Sequence, residues 1–206
     1  METEIKEKKS FFDILKQNLK VILSILLVLF IGLGLYLWIQ YNSNLKKQDL
    51  SEKYIQAKIL LSKNDKQKSL EILKNIIKEK DSTYSILSLY LIIDKNLESD
   101  DNSILNYFDK IITISDLEKE DVNLIKLKKA IFISSYGKED KLLELLNPII
   151  NSDSVWKVQA TKFMGDYYFS RKEYVKADQF YSKLINLEGE NIDKNEINRK
   201  IQTYKK

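Results

Sequence analysis

Residues Trp156 to Gly189, WKVQATKFMGDYYFSRKEYVKADQFYSKLINLEG, read as two amphipathic helices broken by the polar turn Ser170-Arg171-Lys172. Met164-Gly165 is followed one turn later by Tyr168; past the break come Tyr174, Ala177 and Tyr181, with Leu184 beyond. Gly165 and Ala177 stand 12 positions apart. A small residue on each of two antiparallel helices lets the backbones cross tightly, and rings at Tyr168 and Tyr181 fill the space beside the crossing. The segment predicts a helical hairpin, and the rest of the chain can be searched for copies of it.

Counting back 35 residues from Gly165 reaches Ala130, followed by Ile133, Leu142, Leu146 and Ile149, with Gly137-Lys138 where a turn is required. A further 73 residues upstream, about two periods, Ala57 precedes Leu60, and Ser69, Leu73 and Ile76 form the partner stripe. Between them lies a degenerate unit, Thr83 to Ile114, in which Tyr90 takes the small-residue position and the acidic loop Glu98-Ser99-Asp100-Asp101-Asn102 disturbs the count; its second helix, Leu105 to Ile112, echoes Leu70 to Ile77 at an offset of 35. Lys126 and Lys129 stand where the pattern prefers apolar side chains. The spacing of Trp156, Gly165, Tyr168, Ala177 and Tyr181, with Ala57 and Ala130 at corresponding small positions, looks like the tetratricopeptide pattern. The expected helices lie near 49–63, 67–79, 83–96, 102–114, 119–136, 139–150, 154–170, 174–187 and 193–205: four hairpins and a terminal helix. Ile197, Ile201 and Tyr204 make the terminal helix's single apolar stripe, as suits a cap closing a solenoid's end. Ser115 with Glu118 fits a capping box and Asp193 with Glu196 imitates one, while Asp100-Asp101 sits where a helix should start and reads as a cap rather than a cation site.

Upstream, Val21 to Ile39, VILSILLVLFIGLGLYLWI, gives 19 consecutive positions without a charge. A helix of that length spans about 28 Å, close to the ~30 Å hydrocarbon thickness of a bilayer. Phe11 and Phe12 on one side and Tyr36, Trp38 and Tyr41 on the other suit rings at headgroup level. A signal peptide would have a shorter apolar region followed by small residues, whereas Ile39-Gln40-Tyr41-Asn42 follows here, so the span is expected to be an uncleaved anchor. The fold class is therefore all-α, organised as a tail at 1–20, a transmembrane helix at 21–39, a polar linker at 40–48 and a repeat domain at 49–206.

Composition removes whole classes of chemistry. The chain has no Cys and no His, which excludes disulfides, thiolate catalysis and Cys-ligated zinc and removes the commonest general base. Its five glycines are scattered, so no Gly-rich loop can cradle a phosphate. The formal net charge is +4, but charges of both signs are mixed along the chain; of 34 basic residues only Arg171 and Arg199 are arginine, which argues against nucleic acid. No catalytic, cofactor-binding or metal-binding residue is expected, no cofactor, and no small-molecule substrate. Lipid through one helix and other proteins are the partners that remain.

A short Lys-containing tail, one transmembrane helix and a run of about four tetratricopeptide-like hairpins resembles the YfgM family, the ancillary subunit of the SecYEG translocon in Gram-negative bacteria. The stretch that carries the resemblance best is Trp156 to Tyr181. It implies a single-pass inner-membrane protein with a cytoplasmic N-terminus and a periplasmic repeat domain, associated with the secretion channel and with periplasmic chaperones or secreted clients. The Lys count flanking the anchor is nearly balanced, so the orientation is implied by the resemblance alone.

Repeat superhelices present the first helices of their hairpins along a concave groove. The inward-facing candidates are Tyr54, Lys58 and Leu61 in the first repeat, Leu127 and Ile131 in the third, and Gln159, Lys162, Asp166 and Phe169 in the fourth. The competing expectation is a stalked scaffold of another envelope complex, for division or outer-membrane assembly, that engages no client.

Overall fold

The computed structural model of the chain describes residues 19–187 and 193–204, and residues 1–18 of the tail, Phe11 and Phe12 among them, and Gly189 lie outside them. The described residues form α1 Leu19–Ser62, α2 Lys66–Lys78, α3 Tyr84–Asp94, α4 Asp101–Ile112, α5 Lys119–Ile133, α6 Glu139–Ile150, α7 Lys157–Ser170, α8 Tyr174–Ile185 and α9 Lys194–Tyr204, with no strand among them. The chain divides into two units, Met1–Glu52 and Lys53–Lys206.

In the first unit, residues 40–48, expected as a linker, are helical and belong to the 44-residue α1. The stretch QYNSNLKKQ holds no Pro or Gly to break the helix, and Gln48 Nε2 donates to Glu52 Oε1 one turn on at 3.1 Å. Every described side chain from Leu19 to Asp49 is exposed, and α1 is long and apolar enough to cross a membrane. The Ser24 hydroxyl donates to the Lys20 carbonyl at 2.9 Å, which satisfies it internally as an apolar surrounding requires.

In the second unit consecutive helices from α2 to α9 pack on one another, and α2 also packs on α4. The second helices of the hairpins share one design. Each buries a stripe at three- and four-residue spacing: Ser69, Leu70, Leu73, Ile76 and Ile77 on α2; Ile104, Tyr107, Phe108 and Ile111 on α4; Leu142, Leu146, Ile149 and Ile150 on α6; Ala177, Phe180, Tyr181 and Leu184 on α8. At the positions expected for the crossings, the small residues Ala57, Ser69, Ala130, Gly165 and Ala177 are buried, and so is the larger Leu142. At the first crossing the Ser69 hydroxyl donates to the Ala57 carbonyl at 2.9 Å, so a polar residue fits where the backbones meet.

Three of the turns repeat one geometry. The Asp65 N–H donates to the Leu60 carbonyl and the Asn64 N–H to Leu61; Leu97 pairs with Ile92 and Asn96 with Ile93; Glu173 pairs with Tyr168 and Lys172 with Phe169. This paired reach-back closes a helix C-terminus around a left-handed residue, and Asn64, Asn96 and Lys172 have φ of 62°, 46° and 62°. After the first two of these turns Asp65 and Asp100 cap the next helix, their carboxylates accepting from Lys68 and from Asn102 and Ser103, and Asp193 caps α9 in the same way through Asn195 and Glu196.

Two expectations are corrected here. Counted from its left-handed turn residue, the second hairpin places fully buried Leu89, not Tyr90, where Ala57 and Gly165 stand in theirs; Leu97 to Ser99 lengthen the next connection before the Asp100 cap, which is why the sequence count slips. Ser115 and Glu118 form no capping box: α5 starts at Lys119 with Glu118 at its cap, and the Ser115 hydroxyl donates to Asp116 Oδ1 at 2.9 Å instead.

Adjacent hairpins are locked by polar clasps. Glu120 at the start of α5 accepts from the Ser154 hydroxyl (2.6 Å) and the Val155 N–H (3.1 Å), and its carbonyl accepts from Trp156 Nε1 at 3.0 Å. Trp156 thus serves the junction before α7 rather than the crossing itself. Glu139 accepts from the Tyr168 hydroxyl at 2.7 Å and pairs with Lys176 at 2.8 Å, and these two partners hold its carboxyl below the usual range. At the far end α9 buries Ile197, with Ile201 packed against the core; the side chain of Tyr204 lies outside those described.

Candidate partner-binding groove

The first helices of three hairpins build an apolar groove wholly within the second unit. Tyr54 comes from the last turns of α1, Leu87, Tyr90, Leu91, Ile93 and Asp94 from α3, and Lys128, Ile131 and Phe132 from α5, with Phe108 of α4 at the base; the space measures about 650 Å³. Helix phase explains this face. On α3, YSILSLYLIID, Ser85, Ser88, Leu89 and Ile92 turn inward, which leaves Leu87, Tyr90, Leu91 and Asp94 on the opposite stripe. On α5, Asn123, Ile125, Leu127, Ala130 and Ile133 are buried, so Lys128, Ile131 and Phe132 face the groove.

Leu87 and Ile131 are 39% and 44% exposed, high for branched side chains lining a concave surface. Tyr54 meets Tyr84 with ring centroids 6.1 Å apart, and Phe132 packs on Phe108 at 6.0 Å, so the aromatic walls are held by neighbours. The Tyr90 ring lines the groove while its hydroxyl is buried without a hydrogen-bond partner; burial, with Asp121 nearby, raises its pKa. Asp94 and Lys128 put one charge of each sign on opposite walls.

Of the residues singled out from sequence, Tyr54 and Ile131 meet in this groove. Lys58 is exposed and Leu61 half-buried. Leu127 is 4% exposed and belongs to the core between the third and fourth hairpins, because it lies one turn before Ala130 on the crossing face. The fourth-repeat candidates have local partners: Lys162 pairs with Asp166 and Glu196, both at 3.0 Å, Lys200 of α9 reaches Asp166 at 2.7 Å, and the Phe169 ring packs on Tyr174 and Tyr181. Gln159 is exposed. Sequence reasoning missed Leu87, Tyr90 and Leu91 because no small residue marks the crossing of the second hairpin, and it missed Phe132 although Ala130 marks the third. The one available signal is the excess of apolar residues on the short α3.

This is an all-helical protein in which a helix able to cross a membrane precedes a domain of stacked hairpins carrying an apolar groove. The chain is 29% identical to the ancillary SecYEG translocon subunit of Buchnera aphidicola subsp. Schizaphis graminum (strain Sg) over 170 residues, which covers 80% of this chain and 82% of that protein, a distant relationship. No family model and no solved structure matches.

Proposed function

We propose that the protein is a single-pass inner-membrane interaction subunit associated with the SecYEG translocon, its N-terminus cytoplasmic and its tetratricopeptide-like domain periplasmic, where it holds protein segments such as secreted clients or chaperones. The observation that carries this reading is the apolar groove presented by α1, α3 and α5, whose exposed Leu87 and Ile131 give a partner's apolar side chains a surface to cover. The distant translocon-subunit relative supports the choice of channel, and the absence of Cys and His from the chain supports binding over catalysis. A tether raises the effective concentration of the groove toward any membrane-bound partner, so modest affinity suffices.

The test compares recovery of SecYEG from native membranes by the full-length protein, by a version beginning at Leu45, and by a Leu87→Glu/Ile131→Glu variant. Leu127 is unsuitable for this purpose because a charge there would be buried. Recovery should fall sharply without the anchor and with the charged groove. Equal recovery by all three, or none by the full-length protein, refutes the reading.

A further inference from the structure

On the face of α5 opposite the groove, a second cleft of about 630 Å³ opens between α4 and α6. α2 packs directly on α4, and the corresponding step from α4 to α6 holds this cleft instead. Its position explains the two lysines that break the repeat pattern: Lys126 and Lys129 project from α5 into it rather than into the core, and Lys138 and Lys141 join them from the start of α6. Against these four cations the cleft lining carries two acids, Asp109 and Glu144. Asp109 is already paired with Lys129, whose side chain is only 15% exposed. Lys126, Lys138 and Lys141 have no ion pair among the described residues, and aliphatic Leu105 and Leu145 lie beside them.

We propose that this cleft is a recognition site for an acidic polypeptide segment, one in which carboxylates flank an apolar side chain. The Asp109–Lys129 pair shows that a carboxylate fits within the cleft, and a partner's carboxylates would take the three lysines left over. The aliphatic side chains would receive the apolar residue. No arginine lines the cleft, so its lysines act as point charges that place no bidentate requirement on the partner's carboxylates. The site is separate from the groove, since Lys126 and Lys129 lie on the side of α5 away from Lys128 and Ile131.

The full-length chain in phosphatidylcholine nanodiscs should bind a fluorescein-labelled peptide of alternating Glu and Leu, read by fluorescence anisotropy, more tightly than its Lys and Leu counterpart. Lys126→Gln/Lys138→Gln/Lys141→Gln should weaken that binding about tenfold, the combined worth of three solvent-facing charge pairs, with an unchanged melting temperature. Leu87→Glu/Ile131→Glu should leave it intact, so the cleft and the proposed groove fail or stand independently. The proposal is overturned if both peptides bind alike, if the triple variant binds as wild type, or if the groove variant is the one that loses the peptide. It is equally overturned if the three substitutions abolish binding to phosphatidylglycerol vesicles while the peptide still binds, since the lysines would then serve a lipid surface.

Discussion

Gly165→Ala tests the hairpin crossing more directly than any larger substitution. A Cβ built at Gly165 would lie 2.5 Å from Cε1 and 2.7 Å from Cδ1 of Tyr181. The ring has no free direction to take: Tyr181 is fully buried and its hydroxyl donates to Asp166 Oδ1 at 2.7 Å. Overpacking of this kind costs about 1–3 kcal/mol, and displacing the ring puts at risk a hydrogen bond to a charged acceptor worth about 1.5–3 kcal/mol. Replacing a mid-helix glycine by alanine returns about 1 kcal/mol of helix propensity. The net is a destabilisation of about 2–4 kcal/mol, read as a lower urea midpoint by tryptophan fluorescence on the full-length chain in detergent, with exposed Gln67→Ala as the neutral control. In a Tyr181→Leu background the same substitution should cost little, because the ring atoms it would strike are gone. If Gly165→Ala is as stable as the parent, or its cost persists without the Tyr181 ring, the close crossing is wrong.

Lys172→Gly should stabilise the domain by about 0.5–1 kcal/mol, since a lysine at φ 62° bears a steric cost that glycine avoids, partly offset by glycine's greater chain entropy; an unchanged or lower denaturation midpoint would argue against that backbone geometry. Stability should also fall as the pH drops below about 5. Burial pushes the Asp166 carboxyl up, but Lys200, Tyr181 and Lys162 hold it below its ordinary value, and Lys200 and Lys162 do the same for Glu196. Groups depressed in the folded state contribute stability that is present above the unfolded carboxylate pKa and lost as the pH falls through the folded one, so Asp166→Asn should flatten the acid limb of a midpoint-versus-pH curve, and an unaltered limb would show that Asp166 is not part of it.

The crossings were legible in the sequence because they depend on local quantities. A close approach needs a small side chain and a hairpin fixes its spacing from the next one: Gly165 and Ala177 are buried 12 positions apart, and Ala57 and Ala130 are buried at the corresponding positions upstream. The uncharged run from Val21 to Ile39 was likewise sufficient to predict a helix of spanning length. Tertiary structure decided what spacing leaves open. The left-handed turn residue Asn96 fixes Leu89 as the crossing position of α3 and leaves Tyr90 to line the groove, a placement that counting along the sequence does not give. Leu127 and Ile131 are one helical turn apart, yet one is core and the other groove, because α5 is rotated by its contacts with the helices packed on either side. Lys162 and Asp166 carry the same lesson: their chemistry suits a binding surface, but Glu196 and Lys200 of α9 reach them first, and only the folded chain brings residues so far apart in sequence within ion-pair distance.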